Sequence, residues 1–156
     1  TTAIQANDLV GRKTARDGGQ TAKGIAKQIE ATETELTQRG SANAQAVGKR
    51  LKAAREAFID VVEFVAGNTK ASPNAVFAGS VPYLMLAGNL VAGWQLARAL
   101  LVAEELSAKG EEKAFMDAKV TTARFYADHI LSKAPGIRDS IVDGADSVTA
   151  LALEAF

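Results

Sequence analysis

Residues 77–97 read FAGSVPYLMLAGNLVAGWQLA, a stretch without a charged side chain. Its placement decides the fold. About 20 apolar residues in a helix cross the hydrocarbon of a bilayer, so one reading is a membrane span. The other is the central helix of a bundle. Pro82, Asn89, Gln95 and several glycines dilute the apolar run, and Arg98 follows at once. The neighbouring segments carry apolar stripes that need a surface to pack on. The balance favours a buried bundle helix with no membrane span. In that setting Gly79, Gly88 and Gly93 permit close helix approach, at about 1 kcal/mol each in helix propensity. The helical pattern runs from Phe77 to Lys109, as one helix or as two meeting near Pro82, because proline removes a donor and clashes with the preceding turn.

Working outward, Val47, Leu51, Ala54, Phe58, Val61 and Val65 repeat at heptad spacing, which predicts a helix from Ser41 to Ala66. Ser41 can cap it, and Gly67-Asn68 can close it. Ser72-Pro73 is a cap followed by a first-turn proline. Thr21 to Gln38 also reads as a helix, with Ile25, Ile29 and Leu36 as sparse apolar positions and Gly40 as its stop. It is so polar that it is expected outside the bundle or only partly anchored. Glu111 to Lys133 is a further helix, stopped by Pro135-Gly136. Phe115, Ala118, Thr122, Phe125 and His129 run down one face, with Met116, Val120, Ala123 and Ile130 on the adjoining one. Phe58, Phe125 and the Leu86–Leu90 region are expected to share one core. A short helix from Ile4 to about Arg12 precedes the Asp17-Gly18-Gly19 turn, and the tail from Ile137 to Phe156 holds short turns broken near Gly144. Strand alternation is missing. The predicted fold class is all-α, an antiparallel helical bundle of about four main helices with short helices at the termini.

Composition narrows the chemistry. The chain has 156 residues, 47% hydrophobic and 23% charged, enough for one domain with a core. Eighteen basic and 18 acidic residues cancel, leaving no global field for nucleic acid. Cysteine is absent, which removes thiolate chemistry and suits a cytoplasmic protein. A single histidine leaves no metal-ligand spacing. Gly11-Arg12-Lys13-Thr14 looks like a broken phosphate loop, but it lacks the earlier glycine and the strand leading in. Arg12, Lys13 and Arg16 read instead as a solvated helix end. His129 has only Asp128 beside it and reads as a structural residue at the polar edge of the core. Glu104-Glu105 and Glu111-Glu112 read as solvated faces, and Trp94 and Tyr126 as core-edge residues whose polar tips seek partners.

The opening, TTAIQANDLVGRK, resembles the segment that follows the catalytic glutamate of acyl-CoA dehydrogenases. That pattern is Tyr-Glu-Gly-Thr-x-x-Ile-Gln-Ala-x-Asp-Leu-x-Gly-Arg-Lys, matched by Thr1, Ile4, Gln5, Ala6, Asp8, Leu9, Gly11, Arg12 and Lys13. VPYLMLAGNLVAGWQLARALL, AKVTTARFYADHILSKAPG and GADSVTALALEAF resemble the extra C-terminal helical domain of the large bacterial members, among them the methylmercaptopropionyl-CoA dehydrogenase group. The resemblance implies that the family's catalytic Glu lies just upstream of Thr1 and that no catalytic residue lies in this chain. It implies residues 1–16 as the end of the flavin-contacting helical domain and 17–156 as an appended bundle domain. Thr1, Ala3 and Gln5 would be the FAD-contacting positions. The parent would use FAD, take an acyl-CoA substrate and pass electrons to an electron-transfer flavoprotein, and it could form a homo-oligomer. This chain alone would be inactive and free of cofactor, serving as structure or interface. The alternatives are a stand-alone helical protein–protein interaction module and a membrane-associated protein using residues 77–97.

Overall fold

The structure, a computed structural model, describes residues 1–155, and among them every regular element is helical. Phe156, the last residue of the predicted tail, lies outside the described residues. Helix α1 (Thr2–Asp8) runs directly into a π-helix (Leu9–Ala15). A turn follows in which Gly18 and Gly19 both take positive φ. Then come α2 (Gln20–Arg39), α3 (Ala42–Asn68), the short α4 (Pro73–Ala78), α5 (Ser80–Ala108), α6 (Lys113–His129) and α7 (Ala134–Val142). Short 3-10 turns flank α7 and finish the described chain.

Side-chain pairs set the register. Arg55 meets Glu33, and Lys23 meets Glu63, so α2 and α3 run antiparallel. Ser41 reaches Glu104 while Phe58 packs on Tyr83, so α3 and α5 are antiparallel as well. Ser107 pairs with Asp117 and Asn89 with Tyr126, which makes α5 and α6 a third antiparallel pair. Helix α3 lies centrally, touching α2, α5, α6 and α7. Its heptad stripe is buried throughout, as its spacing predicts. The Ser41 hydroxyl accepts the Ala44 N–H at 3.1 Å, the N-cap bond, and Gly40 ends α2 in the left-handed region.

Four expectations change. First, α2 is an integral bundle helix rather than an outlying one. Ala26, Ile29, Thr32, Glu33 and Leu36 form its buried stripe, with Ile29 and Leu36 wholly buried. Polar residues conceal this stripe in the sequence because Thr32 and Glu33 face inward with partners. Second, the break in the long apolar run falls at Gly79, between α4 and α5, and not at Pro82. Pro82 sits in the first turn of α5, where its missing N–H has no intrahelical acceptor to lose. Third, Pro135 opens α7 instead of merely ending α6, which stops at His129.

The fourth change concerns α6. The face made of Phe115, Ala118, Thr122, Phe125 and His129 points to solvent, with Phe125 60% exposed. The adjoining face, with Val120, Ala123 and Ala127, is the one packed on the bundle. Phe125 therefore does not share the core with Phe58, Leu86 and Leu90. Small residues on the inner face bring α6 close to its neighbours, and two aromatics on the outer face would not fit there.

Helix α5 meets the length and apolarity of a membrane span, with a third (33%) of its most apolar window buried in the bundle. Tyr83, Leu86, Leu90, Gly93 and Ala97 form its inner side. Gly93 and Gly79 serve close approach as expected: a Cβ at Gly93 would lie 2.7 Å from the Leu131 methyls, and one at Gly79 would lie 2.8 Å from Ile141. Gly88 does not. A Cβ there would meet nothing within 4 Å.

Candidate functional site

The motif-bearing segment lies along the edge of the bundle. Thr1, Ala3, Ile4 and Gln5 are exposed on it, while Ala6 and Val10 are wholly buried against the core. Thr1 precedes α1 without a side-chain capping bond, and its carbonyl accepts the Gln5 N–H at 3.0 Å. Four residues apart, Thr1 and Gln5 share a helix face, and Ala3 lies on another. A hydroxyl and an amide on one open face can edge a ligand, but they form no enclosure.

Beyond Asp8 the helix widens into π geometry. Such turns occur mostly as local bulges and often beside functional positions. The Asp8–Arg12 pair (3.1 Å) bridges the transition on the outside. On the inside, Thr14 is buried and its hydroxyl lies 2.8 Å from the Tyr83 hydroxyl on α5. Burial raises the Tyr83 phenol above its ordinary pKa, with the Thr14 bond working the other way. The turn that follows is held by Asp17, whose carboxylate accepts from the Gly19 N–H and from the N–H and hydroxyl of Thr21. The Thr21 hydroxyl is the chief reason the Asp17 carboxyl sits below its usual pKa. Gly19 is required here twice over. Its φ is 79°, and a Cβ would lie 2.6 Å from Val62.

Between the π-helix, α2 and α5 lies an apolar cleft of about 260 Å³, walled by Leu9, Ile25, Phe58, Ala87, Leu90 and Val91. Tyr83 forms part of its wall, and Lys13 stands at it with an exposed side chain. The two hydroxyls of Thr14 and Tyr83 bond to each other, so neither is left free to face the cleft. A wider, more open groove of about 670 Å³ runs between α5 and α6, past Arg98, Val102, Phe115 and Lys119.

Elsewhere several titratable groups are paired within the bundle. His129 stacks against Phe125 with ring centroids 4.5 Å apart, on the solvent side of α6 rather than at the core edge. Its neighbour Asp128 accepts from Arg124 instead. Glu104 accepts from Ser41, and Glu105 pairs with Lys109, which holds its carboxyl below the usual range. Asp117 is likewise lowered, chiefly by Lys113 and then by Ser107. The Glu33 carboxylate takes two bonds from Arg55, at 2.7 and 2.9 Å. Trp94 donates to the Thr32 hydroxyl at 2.8 Å, and Tyr126 to the Asn89 carbonyl at 3.2 Å, so both polar tips find partners. Among the described residues no three His, Asp or Glu side chains gather as a metal site. The Thr14–Tyr83 and Glu33–Arg55 pairs escape a reading of the sequence. Glu33 could have been suspected from its place between Ile29 and Leu36 on one helical stripe.

Fold and site together define a helical bundle domain whose buried polar side chains are paired among the described residues and whose motif-bearing segment runs along its edge. Residues 23–152 match the family described as acetyl-CoA dehydrogenase C-terminal like. The chain belongs to that family. It is 46% identical over 153 residues to the 3-methylmercaptopropionyl-CoA dehydrogenase of Ruegeria pomeroyi, an alignment covering 98% of this chain and 26% of that protein. It is 33% identical over 153 residues to the broad-specificity linear acyl-CoA dehydrogenase of Mycobacterium tuberculosis, covering 90% of this chain and 24% of that one. The chain thus spans about a quarter of the length of these curated relatives.

Proposed function

We propose that this chain is the C-terminal helical portion of an FAD-dependent acyl-CoA dehydrogenase, with a structural and interface role and no complete active site of its own. The observation that carries this reading is the family match together with an opening motif whose Thr1 and Gln5 stand exposed on one face. In the parent, the family's glutamate would remove the α-proton of an acyl thioester, and a bound flavin would supply the acceptor for hydride from the β-carbon. Residues 1–16 would close the flavin-contacting domain and 17–156 form the appended bundle. Thr1 and Gln5 would contact the FAD edge from one side, and Ala3, the third position the resemblance gives, lies on another face of the same turn. Their exposure fits a partial contact, the rest of the cofactor's surroundings coming from elsewhere in the polypeptide. The parent would be a cytoplasmic protein acting on acyl-CoA thioesters, delivering electrons to an electron-transfer flavoprotein, and assembling as a homo-oligomer.

The polypeptide encoded by the complete reading frame should purify yellow and reduce an artificial electron acceptor when given acyl-CoA thioesters. The present chain should be colourless and inactive in the same assay. A complete reading frame that encodes only this chain would overturn the proposal and favour the interaction module. So would a flavin that stays with the present chain through dialysis.

A further inference from the structure

We infer that the outer face of the first half of α5 is a docking surface for an apolar helix from the flavin-bearing part of the same polypeptide. This rests on the proposed function above. A surface helix ordinarily turns polar residues outward. From Ser80 to Ala97 α5 has no charge to turn, and its open side carries Val81, Met85, Gly88, Val91 and Ala92, with Gln95 as the exposed polar residue at its far end. Met85 is 52% exposed. Beyond Ala97 the helix changes character, with Arg98, Glu104 and Glu105. The apolar face is therefore a bounded patch and not a property of the whole helix.

Gly88 points the same way independently. Glycine inside a helix is unfavourable compared with alanine, and the other two glycines of this run each make room for a packed side chain. Gly88 makes room for nothing within the bundle. It is exposed, and Ala92, one turn further along the same side, is exposed as well. Two small residues flanked by Val81, Met85 and Val91 let a second helix come close while the larger side chains seat beside it.

The occupant follows from where this face lies. The segment that continues α1 meets α5 here: Thr14 bonds Tyr83, and Leu9 and Lys13 wall a cleft together with Ala87 and Val91. Helix α1 also packs on α5 and leaves Ile4 74% exposed. Polypeptide joined to the motif-bearing segment is thereby delivered to this side of the bundle. The relatives have about three quarters of their length outside the aligned region. The patch bears no charge for a polar partner to answer, which fits a permanent apolar neighbour within one protein.

Thiol accessibility tests this. Met85→Cys is placed in the present chain and in the polypeptide of the complete reading frame, with Lys49→Cys on the exposed side of α3 as a reference; other cysteines in the longer protein are replaced. In the present chain both thiols should react with a small maleimide at similar rates, at any protein concentration. In the longer protein the thiol introduced by Met85→Cys should slow at least tenfold relative to the reference. Equal rates in both proteins would overturn the inference even if the longer protein dehydrogenates acyl-CoA. Slowing already in the present chain that disappears on dilution would also overturn it, by naming a second copy as the occupant. Slowing only with lipid vesicles would do so by naming a membrane. As a second variant, Gly88→Leu should leave the melting temperature of the present chain unchanged or raised and lower that of the longer protein. A similar change in both would overturn close helix approach at this face. Loss of flavin and dehydrogenation from the unmutated longer protein would instead refute the proposed function, whatever the labelling.

Discussion

The buried hydroxyl pair of Thr14 and Tyr83 ties the motif-bearing segment to the bundle core. Tyr83 is wholly buried, and Thr14 is the only side chain that bonds its hydroxyl among the described residues. Tyr83→Phe leaves the Thr14 hydroxyl buried without a partner, which typically costs about 1–3 kcal/mol. Removing both groups, with Thr14→Val, should cost less than the two single changes summed. Urea unfolding of the four proteins measures the coupling, and strict additivity would refute it. The same tyrosine gives the stability an alkaline edge. Its phenol is raised in the folded state by burial, so its contribution is fully present below the ordinary tyrosine pKa of about 10 and is lost as pH rises through the folded value. Tyr83→Phe should therefore flatten the loss of stability above about pH 10.

Two helices show how facing is decided. Helix α3 presents a complete apolar stripe, and the bundle closes around it. Helix α6 offers two candidate stripes, an aromatic one and a smaller one, and the smaller one faces in. Phe58→Ala should destabilise by about 3–5 kcal/mol, the usual loss for a core phenylalanine. Phe125→Ala should stay within about 0.5 kcal/mol, as exposed sites do. Thermal melts of both variants check this, and a large loss for Phe125→Ala would restore it to the core. Helix α2 depends on a different contact. Arg55 and Glu33 are both largely buried and joined by two hydrogen bonds, and the bonding that Arg55 donates to Glu33 is the main reason the guanidinium is held above its ordinary pKa. Arg55→Ala would strand the Glu33 carboxylate, at about 3–5 kcal/mol by analogy with other broken buried pairs. Arg55→Met with Glu33→Leu should recover much of that loss, as read by denaturant midpoints.

One hydrophobic core runs through the molecule from Val10 to Ile141, with buried residues from all of the long helices. Arg138 clasps the last helix onto α3 through Asp60, while also bonding Asp139 and Asp143. The opening segment shares in the packed interior through Ala6, Val10 and Thr14. Deleting residues 1–16 should consequently weaken the bundle. The loss of Val10 burial, about 1.5–3 kcal/mol for such a side chain, adds to the uncovering of Tyr83, which the segment walls off from solvent. Chemical denaturation of the shortened chain reads the sum, and an unchanged midpoint would mean that the segment contributes nothing to the bundle.

Helix positions, the heptad stripe of α3, the Ser41 cap and the all-α class were legible because each depends on residues close in sequence. Periodicity, capping and glycine stops act within a few residues. The family resemblance was legible too, and residues 23–152 match that family. The facing of α6, the burial of α2 and the location of the break at Gly79 were settled by tertiary packing. Each depends on what lies across an interface: small inner residues that admit a neighbour, an arginine on α3 that neutralises Glu33, and Ile141 pressing on Gly79. Thr14 and Tyr83 are likewise 69 positions apart, and only the closed bundle brings their hydroxyls together. Local energies choose helices, whereas the choice of which face is inside belongs to the assembled core, where volume and polar satisfaction are decided jointly by several helices.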